Sequence, residues 1–127
     1  EQTLASLMDL AKEGVFIAQS LVRRGGSCSR SLSCLAADHR RALRQLSAAY
    51  FLIIGQRYRP PTPSVVINAS LPLALRDQFV WEQRWERANQ QAAETTSDAC
   101  LKELYQELAQ DGVLHAATIR SLLEQMG

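Results

Sequence analysis

The sequence predicts an all-α fold, a four-helix bundle with a long crossover between its second and third helices, and three observations carry that reading. Apolar residues recur every three or four positions through four long segments, the period of a helix buried along one side. The breakers between segments are few, and they are short near both ends of the chain but long in its middle. No segment alternates convincingly with period two, and Ser64 to Asn68, SVVIN, is the only β-like fragment.

The first helix is expected from about Gln2 to Arg24, with Leu4, Met8, Ala11, Val15, Ala18 and Val22 on its inner line, and it stops at Gly25-Gly26. The second begins near Ser27 or Ser29, either a good N-cap, and ends at Gly55. Its inner line is Leu32, Leu35, His39, Ala42, Leu46, Ala49 and Ile53, which places a titratable ring in an apolar stripe. The third opens around Pro72, tolerated in a first helical turn, and continues to about Thr95. The fourth takes Ser97 or Asp98 as its cap and runs to Met126, with Leu101, Leu104, Leu108, Gly112, His115, Ile119 and Leu122 facing inwards.

Connection lengths set the topology. Breaks at 25–28 and 95–98 are a few residues long, so helices one and two are antiparallel neighbours, as are three and four. The 16 residues from Gln56 to Leu71 reach about 55 Å when extended, whereas helix two is about 40 Å long. That connection can travel the whole bundle, and Pro60, Pro61 and Pro63 stiffen it towards an extended form. Helices two and three therefore run parallel.

The chain has 127 residues, 46% hydrophobic and 21% charged, which suits one domain, 1–127, with a single core. Fourteen basic and 13 acidic side chains give a formal charge of +1 spread along the chain, so no global field points to nucleic acid or an anionic membrane. Arg40, Arg41, Arg44, Arg57 and Arg59 form a basic cluster that reads as a solvated face rather than a phosphate-binding one. Cys28, Cys34 and Cys100 have no metal-type spacing and their odd number does not suit a disulfide framework, so a reducing cytoplasm is the expected compartment. No apolar run suggests a membrane span, and the charged start lacks the order of a signal peptide.

Helices two and four echo one another: LAADHRRALRQL, Leu35 to Leu46, sets beside LAQDGVLHAATI, Leu108 to Ile119. In each, Leu-Ala-x-Asp precedes two inner positions three residues apart, His39 with Ala42 and Gly112 with His115. Here the chain resembles the ferritin-like superfamily, specifically its rubrerythrin-like branch. LAADHRRALRQLSAAYFLIIG, Leu35 to Gly55, is similar to the branch's second helix and LYQELAQDGVLHAATIRSLLEQM, Leu104 to Met126, to its fourth. That family binds two iron or manganese ions with Glu-x-x-His on helices two and four and one Glu on each of helices one and three. The resemblance implies that His39 stands at the family's Glu position and Ala42 at its His on helix two, that Gly112 replaces the Glu of helix four, and that His115 is retained. It further implies Glu13 as the first-helix ligand and Glu82 as the third-helix ligand, with Glu86 as an alternative one turn later.

Three of the six positions have thus changed, and the missing bridging carboxylates argue against two-metal oxidase or peroxidase chemistry. The favoured expectation is a non-catalytic binding or scaffolding bundle without cofactor, self-associating through an apolar helix face. The rival is a single Fe, Mn or Zn ion held by a vestigial set of Glu13, His39, Glu82 and His115. Otherwise the histidines are core residues hydrogen-bonded to each other or to Glu82. Buried together they would resist protonation, whereas a nearby Glu82 would favour it. Helix three also poses a choice: Glu82 lies on a line with Leu75, Phe79, Glu86, Asn89 and Ala93, and Trp81, Trp85, Ala88 and Ala92 form a competing line, of which one is expected to face squarely inwards. The tryptophans, with Tyr50, Phe51 and Tyr105, read as packing residues, and the cysteines as small core or boundary residues.

Overall fold

The computed structural model describes residues 2–126. It contains four α-helices, α1 (Gln2–Arg24), α2 (Ser29–Ile54), α3 (Leu71–Thr95) and α4 (Ala99–Met126), and no strand among the described residues.

Each helix end has a local cause. A tight turn over Gly26–Cys28 leads into α2, entered through a left-handed Gly26 at φ 54°. Neither Ser27 nor Ser29 caps α2; the Ser29 hydroxyl instead donates back to the Val22 carbonyl at 2.9 Å, tying α2 to the end of α1. Gly55, at φ 82°, closes α2 with its N–H on the Phe51 carbonyl at 2.8 Å. Before α3, the Asn68 side chain accepts the Ser70 N–H at 2.9 Å, and Pro72 sits in the first turn. Of the two candidate caps of α4, Asp98 acts, its carboxylate accepting the Leu101 N–H at 3.0 Å.

The helices pack as two pairs, α1 with α2 and α3 with α4. The pairs meet through α1 against α3 and α2 against α4. Thr3 and Leu7 of α1 lie beside Ala92 and Thr95 of α3, and Ile17 lies beside Ala74 and Gln78, so α1 and α3 are antiparallel. With α2 antiparallel to α1, α2 and α3 point the same way. The connecting segment, residues 55–70, accordingly runs beside α1 from one part of it to its end. Tyr58 donates to Asp9 at 2.7 Å, Lys12 to the Pro60 carbonyl at 2.9 Å and Arg24 to the Ala69 carbonyl at 2.6 Å. Within it Pro63, Val65 and Ile67 are half-buried while Ser64, Val66 and Asn68 are exposed, the alternation of a strand without a partner strand.

The inner lines mostly form the core, through Leu4, Met8, Ala11, Leu32, Leu35, Leu46, Leu108 and Ile119. Two differences have physical reasons. In α1 the seam passes from Ala11 through Gly14, Ile17 and Leu21 instead of Val15 and Val22, because the Trp81 indole occupies the space over Gly14. In α3 neither line wins: Trp81, Trp85 and Ala92 are buried, and so are Leu75, Glu82, Asn89 and Ala93. This helix packs on α1 and on α4 at once, so its buried arc spans both lines. Ile53, at the end of the α2 line, is 50% exposed because α2 outruns the core there.

A β-carbon on Gly14 would lie 2.4 Å from Cη2 and 2.8 Å from Cζ2 of Trp81. Gly14→Ala should therefore destabilise the protein by about 1–3 kcal/mol despite the better helix propensity of alanine. Urea denaturation midpoints measure this, and the penalty should vanish in a Trp81→Leu background; a penalty that persists there would mean the indole is not its cause.

Candidate metal centre

Three helices deliver three side chains to one point. The inner lines of α2 and α4 carry His39 and His115, and the shared arc of α3 carries Glu82 between them; all three are buried. His39 Nε2 donates to Glu82 Oε2 at 2.7 Å, and His115 Nδ1 lies 3.2 Å from Glu82 Oε1, so each carboxylate oxygen faces one ring. The imidazoles stand edge to face, centroids 5.0 Å apart. One ligand-type atom from each of His39, Glu82 and His115 lies within 4.8 Å of the others.

A second layer holds this group. Asp38, half-buried on α2, accepts from His115 Nε2 at 2.8 Å. The buried Gln78 amide donates to Glu82 Oε2 at 2.9 Å, which leaves Gln78 Oε1 without a partner among the described residues. Aromatic edges close the remaining sides of His39, with Trp81 at 4.9 Å and Trp85 at 5.8 Å between ring centroids, and the two indoles stacked on each other.

The electrostatics follow from this geometry. Burial alone would raise the Glu82 pKa, but the hydrogen bonds from His115 and His39 outweigh it and hold the carboxyl below its ordinary value. Burial likewise opposes the His115 charge, and the contacts with Glu82 and then Asp38 overcome it, raising its pKa. Both His115 nitrogens face carboxylates, an arrangement that only the doubly protonated imidazolium satisfies fully. Asp111, the counterpart of Asp38 in the helix echo, is pushed up by burial, with His115 opposing and Asp38 adding to the rise.

The other expected ligands lie elsewhere. Glu13 accepts the Trp81 indole N–H at 2.8 Å and pairs with Arg84 at 2.9 Å; with the indole ring also against His39, Trp81 stands between Glu13 and the centre. Glu86 lines the outer groove between α3 and α4 with Gln90 and Lys102. Ala42 is buried and supplies no donor atom. Gly112 lets α4 approach α3 closely: a β-carbon there would lie 3.0 Å from Glu86 Cβ and 3.2 Å from the Glu82 carbonyl oxygen. Asp38 and Gln78 were not singled out by the sequence. Signals for both exist, in the repeated Leu-Ala-x-Asp of the echo and in the place of Gln78 one turn before Glu82.

Away from the centre, Arg40, Arg41, Arg44, Arg57 and Arg59 are all exposed, Arg41 lying 3.4 Å from Asp38. Cys28 is buried, whereas Cys34 and Cys100 are exposed rather than core residues, and all three thiols are free. No described helix is long and apolar enough to cross a membrane. Comparison of the chain with known protein families, with curated proteins and with solved structures returns no match.

The two shifts act on stability in opposite pH ranges. Glu82, depressed in the fold, contributes stability above its ordinary value of 4.5 that is lost as pH falls through the folded value. His115, raised, contributes stability that is complete below 6.5 and lost as pH rises through its folded value. The metal-free protein should thus be most stable between these values, with a decline of up to about 1.4 kcal/mol per pH unit on the alkaline side. Denaturation midpoints from pH 4 to 9 check this, and His115→Gln should flatten the alkaline decline.

Proposed function

We propose that the chain is a ferritin-like, rubrerythrin-like bundle in which a di-metal centre has contracted to a site for one divalent cation, held by His39 Nε2, Glu82 and His115 Nδ1. The observation that carries this reading is the convergence of three ligand-type side chains from three helices within 4.8 Å in the protein interior. The second layer supports it: Asp38 binds the outer nitrogen of His115 and Gln78 binds Glu82, the kind of contacts that orient metal ligands. Two imidazoles and one carboxylate suit zinc, iron or manganese. A cation bound there supplies a Lewis-acidic centre. The protein's own residues fix its surroundings: Asp38 sets the His115 ring orientation, Glu82 offsets positive charge, and Trp81 and Trp85 exclude water.

The donor set does not fit two cations. One carboxylate cannot bridge and neutralise a pair of divalent ions against their repulsion. Ala42 has no ligand atom, and at position 112 even a β-carbon would press on Glu86 and the α3 backbone. Oxidase, peroxidase and iron-storage activity are accordingly not part of the proposed function.

A non-catalytic binding or scaffolding bundle is the second reading, favoured by the 2.7 Å contact of His39 with Glu82, which satisfies both groups without an ion. Phe51, Leu52 and Ile53, exposed together near the end of α2, would then serve self-association.

Metal analysis of protein purified without chelator, followed by Co²⁺ titration, separates the two. One ion per chain is expected, lost in His39→Gln and Glu82→Gln with the helical circular dichroism retained. A folded wild-type protein that takes up no ion leaves the scaffold reading. Anaerobic ferrous loading followed by oxygen should give no di-iron absorption band; such a band with more than one iron per chain would overturn the one-cation site.

A further inference from the structure

Three protein ligands leave a cation one position short of a closed tetrahedral shell, and what fills that position decides whether the ion is structural or open to chemistry. The side chains around the centre narrow the choice. Trp81 and Trp85, packed against His39, carry no acceptor atom. Asp38 lies on the outer nitrogen of His115, the one turned away from Glu82. Glu13 is held by the Trp81 indole N–H and by Arg84. Asn89 is buried and its Oδ1 has no partner among the described residues, but it comes seven residues after Glu82, about 10 Å further along α3.

Gln78 meets the requirement. It is 1% exposed and stands one turn before Glu82 on the same side of α3. Its amide reaches Glu82 Oε2 at 2.9 Å, the same oxygen that His39 Nε2 meets at 2.7 Å. Atoms that share one ion at bonds of about 2.0–2.2 Å stand roughly 3–3.5 Å apart, so the end of this amide already lies near ligand spacing from Glu82. The atom at that end is the nitrogen. A half-turn about the last side-chain bond exchanges it with Oε1, which has no hydrogen-bond partner to give up among the described residues. A divalent charge drives that exchange, because it repels the N–H end of the amide dipole and attracts the carbonyl end, an oxygen that can ligate such ions.

We propose, on the one-cation reading of the centre, that Gln78 Oε1 is the fourth ligand, its amide exchanging a hydrogen bond to Glu82 for a bond to the ion. His39, Glu82, His115 and Gln78 then enclose the cation with no position open to water or substrate, and the ion serves to tie α2, α3 and α4 together.

Co²⁺ absorption with azide as a competing ligand tests this. Wild-type protein should bind one Co²⁺ with the intense visible bands of four-coordinate cobalt, and azide should leave those bands unchanged. Gln78→Ala, with its fold verified by circular dichroism, should bind Co²⁺ about tenfold more weakly, a loss that removing a contact to Glu82 also produces. The distinguishing result is that its bands shift and then respond to azide, which enters the vacated position. Gln78→Glu should keep tight, azide-resistant binding, since a carboxylate ligates where the amide did, whereas a residue needed only to donate to Glu82 could not tolerate that change. Wild-type bands that respond to azide, bands untouched by Gln78→Ala, or Co²⁺ uptake lost in Gln78→Glu would each overturn the fourth ligand and leave the one-cation site standing. A wild-type chain that takes up no Co²⁺ would remove both.

Discussion

A carboxylate buried among helices must be paired, and that requirement organises this protein. Glu82 is fully enclosed, and leaving such a charge uncompensated would cost several kcal/mol, on the order of 3–5. Its two oxygens are met by one imidazole from α2, one from α4 and an amide from its own helix. Those contacts are directional, so they fix the axial positions of α2, α3 and α4 relative to one another in a way that apolar contacts alone do not. The neighbouring Trp81 extends the constraint to α1, because its indole presses on Gly14 and donates to Glu13. One stretch of α3, Gln78 to Trp85, thus touches every other helix.

The same stretch explains why the interior stays closed where ligand atoms are few. Trp81 and Trp85 stack on one another and present faces or edges to His39, filling volume that a larger polar centre would require. Glycine at positions 14 and 112 is the complement of that filling: one admits the indole and the other lets α4 lie against the α3 backbone. Large residues on α3 and missing side chains on its neighbours form one packing solution. Through the middle runs a short polar chain, from Asp38 near the surface through His115 and Glu82 to His39, with the buried Gln78 amide attached to it at Glu82.

Helical periodicity made the helices, their lengths and the inward position of both histidines legible, since each is a property of one segment. The crossover was legible from its length and prolines, and it does run along α1. What periodicity could not decide was the face of α3, because a helix with two neighbours buries more than one line, and Trp81 and Glu82, adjacent in sequence, serve different partners. Glu13 was misplaced for a related reason. Its fate is set by the indole N–H of a residue 68 positions away that needs an acceptor, a pairing no single helix pattern contains. Asp38 and Gln78 escaped notice because their roles exist only through His115 and Glu82, whose meeting is tertiary. The echo of helices two and four pointed to a shared position for His39 and His115, and the resemblance to rubrerythrin-like sequences added Glu82 to it.

The decisive question is whether the nitrogens that face Glu82 bind a metal ion or only protons. Side-chain ¹⁵N–¹H spectra of the histidines, recorded before and after one equivalent of Zn²⁺, address it atom by atom. Zinc should shift His39 Nε2 and His115 Nδ1 together and in slow exchange, while His115 Nε2 keeps its proton on Asp38. Spectra in which neither nitrogen moves, or in which His115 Nε2 is the one that changes, would contradict a centre built from His39, Glu82 and His115.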